Sequence, residues 1–153
     1  MVTPSRFDKF LKGDTKALTA EEKRGLRTFI QVGCVACHNG ALVGGNMYQK
    51  FGIVEPYWKY TGSKEIDEGR YAVTKKEEDK YVFKVPPLRN VAMTPPYFHD
   101  GSVDSLEKAV WIMGKVQLGI DLSEQQVRDI VAFLKSLTGP IPEHARKPPI
   151  LPP

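Results

Sequence analysis

The sequence has no run approaching the roughly 18 consecutive apolar residues of a membrane span, no internal repeat and, among 153 residues, only two cysteines. The first absence excludes a membrane-crossing helix, the second an array of repeated units, and the third a disulfide framework. Met1 to Phe10 also lack the apolar stretch that a secretory signal requires, so any export signal is expected to have been removed or to lie outside this sequence. The basic residues form no stripe. The 22 lysines and arginines are scattered among 18 acidic residues, giving a net charge of +4 and a pI near 9.0. No nucleic-acid partner is expected from that pattern. What is present has the composition of an ordinary globular domain, 41% hydrophobic and 26% charged, and a length large enough to enclose a cofactor.

Local signals point to a mainly α fold. Thr19 and Glu22 have capping-box spacing, and Leu26, Phe29 and Ile30 follow on one face, so a helix should lead directly into Gly33 and Cys34. A second helix should begin near Asp104 or Ser105, carry Leu106, Val110 and Met113 on one face and stop at Gly114. The third is the clearest. Ser123 and Gln126 make another capping box, Val127, Ile130, Val131, Leu134 and Leu137 form the stripe, and Gly139-Pro140 ends it.

Between the first two helices, Gly40 to Pro87 reads as a long, mostly irregular loop. Gly44-Gly45-Asn46 and Thr61-Gly62-Ser63 are turns, and Lys75 to Lys80 is a solvated charge run. Loops of that length are uncommon unless functional or packed on something. Tyr81 to Val85 suits a short strand ended by Pro86-Pro87, and Val91 to Pro96 an extended segment. We read residues 1–153 as a single domain, with an N-terminal extension over 1–18 and a proline-rich extended tail over 140–153.

The chemistry sits at Cys34-Val35-Ala36-Cys37-His38. Two thiols separated by two residues can add to the two vinyl groups of a haem, and the histidine that follows offers its imidazole to the iron. Both cysteines are consumed by that role, which accounts for their number. A redox-active dithiol would call for a surrounding βαβ pattern, and a zinc site drawing on His38, His99 or His144 for tighter histidine spacing. The fold class implied is therefore a c-type cytochrome domain, with about three main helices around one covalent haem and long irregular loops.

The second axial ligand decides what such a haem does, because histidine with methionine raises the reduction potential and suits electron transfer. The residues leave Met47, Met93, Met113, His99 and His144 as candidates. Met47 follows two glycines in a loop, Met93 precedes Thr94-Pro95-Pro96, and His144 lies in the tail. Met113 at a helix end would have a rigid mount, but it also fits plain core packing.

Three stretches carry a resemblance. Val82-Phe83-Lys84-Val85-Pro86-Pro87-Leu88-Arg89-Asn90, Thr94-Pro95-Pro96-Tyr97-Phe98-His99-Asp100-Gly101 and Met113-Gly114-Lys115 follow the haem motif in order. Over roughly Phe7 to Pro152 the chain closely resembles the C-terminal haem domain of bacterial dihaem cytochrome c peroxidases. That resemblance implies that Met113 is the distal ligand of a high-potential haem. It also implies a calcium ion held partly by main-chain carbonyls at Thr94 and Pro96, an ion type suited to oxygen ligands, and it places His99 near the region between two haems. Arg89 is a candidate partner for a haem propionate.

The main departure is that the sequence holds one haem motif, whereas the family has an N-terminal domain with a second, where peroxide is reduced. The calcium ligand of that other domain is missing as well. The function expected is electron transfer through a His/Met-ligated haem c, from a small cytochrome or copper protein toward a peroxidatic haem domain that turns hydrogen peroxide into water. The alternative is a chain that reduces peroxide alone after Met113 leaves the iron, with His99 as its only evident acid or base. Haem attachment to paired thiols implies a periplasmic location.

Overall fold

A computed structural model describes residues 4–143; His144 and most of the expected tail lie outside the described residues. The domain is mainly helical. In chain order it comprises α1 (Arg6–Leu11), α2 (Ala20–Gln31), β1 (Tyr48–Lys50), α3 (Trp58–Thr61), α4 (Tyr71–Thr74), β2 (Val82–Lys84), α5 (Leu106–Met113) and α6 (Glu124–Ser136). The three longest helices are α2, α5 and α6, at the three positions expected from capping and periodicity.

Both capping boxes form. The Thr19 hydroxyl accepts from the Glu22 amide while the Glu22 carboxylate accepts from Thr19 N–H at 2.8 Å, and Ser123 pairs with Gln126 in the same way. From the α6 stripe, Val127, Ile130, Val131, Leu134 and Leu137 are all buried. α2 crosses α6 so closely that a Cβ on Gly25 would lie 1.8 Å from the Asp129 carbonyl oxygen. Only glycine admits that approach, which accounts for a residue that costs an isolated helix about 1 kcal/mol relative to alanine. Phe29, Phe133 and Phe7 pack at the crossing, with ring centroids 5.3 Å apart in each successive pair.

Several expectations need correction. Ile30 is 51% exposed; the face of α2 turned to the core is set by Glu22, Gly25 and Phe29, and Ile30 lies one residue, about 100°, beyond it. Within the expected extension, the described residues 4–18 carry α1 and bury Phe7 and Leu18 in the main core. α5 does end at Met113 with Gly114 as its cap, but the chain does not leave the helical path there. Gly114 is right-handed, at φ −55°, and the chain continues through a wider π-helical turn (Gly114–Leu118) to Gly119 at φ +64°. Gly114 is there for packing, because a Cβ would meet Leu122 at 2.9 Å.

The stretch from Gly40 to Pro87 is less irregular than its composition suggests. β1 and β2 pair antiparallel with Gln49 opposite Phe83, and α3 and α4 lie between them. The Lys75 to Lys80 run is not wholly solvated: Asp79 is buried, held by Arg70 and by the Thr74 hydroxyl. Val91–Met93 is a single 3-10 turn rather than extended chain. Asn90 forces it, sitting at φ +61° and binding the end of α6, with its side-chain oxygen accepting from Gly139 N–H at 2.8 Å. No described helix is long and apolar enough to cross a membrane.

Candidate functional site

α2 ends into Gly33, whose φ of +100° turns the chain into a short 3-10 helix (Cys34–Ala36). The Cys37 and His38 amides both donate to the Cys34 carbonyl, at 3.3 and 3.0 Å. This tight turn puts Cys34, Cys37 and His38 together on the wall of one cavity of about 420 Å³. That volume lies within the range of roughly 300–1,000 Å³ usual for ligand sites. Both thiols are free of disulfide. Burial pushes the Cys34 thiol up to about 11, the reverse of the depressed value that a redox dithiol needs. Among the described residues no three histidine, cysteine or acidic side chains gather as a metal cluster.

Burial also lowers the pKa of His38, against the pull of the Val43 and Pro86 carbonyls beside it. The ring is therefore held neutral, the form that binds metals. Its Nδ1 is enclosed yet makes no hydrogen bond of ordinary geometry. Gly44 lets the two segments converge there, since a Cβ on it would lie 2.3 Å from the Pro86 oxygen and 3.0 Å from Nδ1. The sequence signals at these positions had other readings: Gly44 belonged to a turn and Pro86 ended a strand. Neither pattern reveals which carbonyl meets a histidine almost fifty residues away in the chain.

α5 contributes Leu106, Ala109, Val110 and Met113 to the same lining, and α6 contributes Ile130 and Leu134. Met113 thus shares the cavity with His38. Met47 and Met93 do not line it; Met93 is 58% exposed, and the Met47 carbonyl is bound by Val85 N–H. Thr94, Pro96 and His99 belong to the lining as well. The His99 ring stacks on Phe83 at 4.3 Å, and its Nε2 lies 3.8 Å from an Asp67 carboxylate oxygen. Arg89 takes a different place. Its guanidinium is committed to Asp8, Ser5 and the Ala41 carbonyl, outside the lining, so the sequence expectation of a propionate partner gains nothing from this arrangement.

These features fit a flat, largely apolar macrocycle bearing a metal. The cavity offers two thiols at one edge, a neutral imidazole whose outer nitrogen is buried without a partner, a thioether, and walls of Phe29, Leu88, Val110, Ile130 and Leu134. An apolar cavity with a few convergent polar groups is the usual form of a cofactor site.

Comparison with known proteins agrees. The Cytochrome c family model matches residues 22–138. The chain is 51% identical over 154 residues to the cytochrome c551 peroxidase of Nitrosomonas europaea, covering 100% of this chain and 44% of that protein. It is 54% identical over 144 residues to the cytochrome c551 peroxidase of Pseudomonas aeruginosa, covering 93% of this chain and 41% of the relative. The chain therefore spans less than half the length of these curated relatives. Among solved structures, a MauG-like protein associated with microbial copper homeostasis superposes with a TM-score of 0.76 at 26% identity, over 90% of this chain and 49% of that one. The chain belongs to the cytochrome c family, as a haem c domain homologous to the haem domains of bacterial cytochrome c peroxidases.

Proposed function

We propose that this domain transfers single electrons through a haem c tethered by Cys34 and Cys37, with His38 and Met113 as its axial ligands. The observation that carries this reading is the presence of His38 and Met113, from different elements, in one apolar cavity with both thiols. When bound, the haem would supply a one-electron couple, raised in potential by a thioether ligand.

The remaining work belongs to the protein. His38 Nδ1–H would donate to the Pro86 or Val43 carbonyl, the nearest acceptors, fixing the ring and raising its basicity as a ligand. Met113 is mounted rigidly, because its neighbour Ile112 is fully buried and the chain runs on from it through the π-helical turn. Phe29, Leu88, Ile130 and Leu134 exclude water from the cavity walls.

The relatives named as peroxidases extend this reading to a larger enzyme. In it the domain receives electrons from a small cytochrome or copper protein and passes them to an N-terminal peroxidatic haem domain, where hydrogen peroxide is reduced to water. The carbonyls of Thr94 and Pro96, at the exposed rim of the cavity, are available to a calcium ion shared with that domain. A periplasmic location follows from where haem is joined to paired thiols.

The test is potentiometry combined with peroxide turnover on the purified, haem-loaded chain. A single reversible one-electron couple with negligible turnover of peroxide by a reduced cytochrome is expected. Efficient turnover would instead support a chain that reduces peroxide on its own after Met113 leaves the iron.

A further inference from the structure

α1 precedes residue 22, where the family match begins, yet it is pinned to the loops around His38. Arg89 donates through its two terminal nitrogens to both Asp8 carboxylate oxygens at 2.7 and 2.8 Å, and to Ser5 Oγ at 3.0 Å. Its remaining nitrogen, Nε, donates to the Ala41 carbonyl at 3.1 Å. All three nitrogens of the guanidinium are engaged, and the side chain is only 9% exposed. A planar fork of this kind fixes geometry in a way a lysine does not.

Ala41 opens the stretch that delivers a carbonyl to His38. One residue before Arg89, the Leu88 amide donates to the carbonyls of Leu42 and Val43 at 3.3 and 3.1 Å, and the Gly45 amide donates to Val85 at 3.0 Å. His38 Nδ1 is enclosed where these two segments meet. The loop does not hold its own course. Gly40, Gly44 and Gly45 all have positive φ, and Val43, a β-branched residue, is forced to φ +53°. Such a conformation persists only where the surroundings over-determine it.

We infer that Arg89, clasped by Asp8, is a positioning residue for the axial histidine: it holds the Ala41–Val43 loop against residues 86–88 and thereby fixes the acceptor for Nδ1. The N-terminal helix is then part of what tunes the haem. The inference rests on His38 being an axial ligand, as proposed above. A hydrogen bond from Nδ1–H makes the imidazole a stronger donor and favours the oxidised iron, so loosening the clasp raises the reduction potential.

Arg89→Lys separates positioning from stability, since it keeps a cation beside Asp8 but loses the fork that reaches Ala41. In the haem-loaded chain it should speed solvent exchange of the His38 Nδ1 proton roughly tenfold, about the loss of one hydrogen bond. It should also move the midpoint potential upward and leave the methionine charge-transfer band in place. Ser5→Ala, a milder change, should shift both readouts in the same direction by less. Glu22→Gln, which weakens the tie between Arg6 of α1 and α2 without touching Arg89, should shift neither. If Arg89→Lys and Ser5→Ala lower the unfolding midpoint while proton exchange and potential stay at their wild-type values, the clasp is structural only and the inference fails. Failure of the axial reading itself looks different: the wild-type His38 ring protons would then lack the upfield shift of an iron-bound histidine in reduced haem.

Discussion

On one side of the cavity α2 and α6 cross at Gly25, each helix started by its own capping box, with α6 burying a periodic apolar stripe against the α2 face of Glu22, Gly25 and Phe29. The rest of the wall, drawn largely from residues 49–51, 83–99 and the 114–118 turn, is held by single backbone bonds between distant segments and by residues in left-handed conformations, among them Val43, Tyr81, Asn90 and Phe98. The first region owes its position to packing spread over many side chains. The second depends on a few bonds in register. Damage to the crossing should therefore appear as lost global stability, and damage to the loops as a disturbed site in a protein that still folds.

The largest effect falls where the two regions join. Cys34→Ser with Cys37→Ser should abolish covalent haem completely, read as loss of the haem mass and of haem stain on a denaturing gel. Next come the two glycines that permit close approach. Gly25→Ala drives a methyl group into the Asp129 carbonyl and should cost about 3 kcal/mol in denaturant unfolding, with little change in the haem spectrum of the folded fraction. Gly44→Ala combines a clash with the Pro86 oxygen and strain at φ +121°; it should cost about 2 kcal/mol and shift the potential as well. Equal spectral effects from both would erase the distinction between the two regions.

Acid acts on the clasp between α1 and the loops. Burial alone would raise the Asp8 carboxyl, but hydrogen bonds from Arg89 and Ser5 outweigh it and bring the group down from 3.8 to about 2. A carboxyl depressed on folding stabilises the protein fully above its unfolded pKa and loses that contribution as pH falls through the folded one. Wild-type chain and Asp8→Asn should thus differ in unfolding midpoint above about pH 4 and converge near pH 2. The smallest effect belongs to the helix caps, where Thr19→Ala should cost about 1 kcal/mol in thermal unfolding and leave the site untouched.

The same division governs what could be read from the sequence. The start and buried stripe of α6 were legible because Ser123, Gln126 and the stripe act within a few positions of one another, though the helix ends at Ser136, before the Gly139-Pro140 stop. Cys34, Cys37 and His38 could be read as one motif because its chemistry is written into their spacing, and the structure brings all three to one cavity wall. Ile30 misled because it continues an apolar run that the tertiary crossing places one residue off the buried face. Gly114 has the composition of a helix stop, yet it is required by Leu122 packing against it. Arg89 gave no sign of its partner, for Asp8 lies 81 residues away. Met113 was set apart from Met47 and Met93 by the resemblance alone, since periodicity describes a core methionine equally well; of the three, the structure puts only Met113 on the cavity wall.

The central claim is the pairing of His38 with Met113, and the near-infrared spectrum of the oxidised protein tests it most directly. A methionine charge-transfer band should be present in the wild-type chain and absent in Met113→Ala. Survival of the band in that variant would contradict the account and assign the ligand to another methionine.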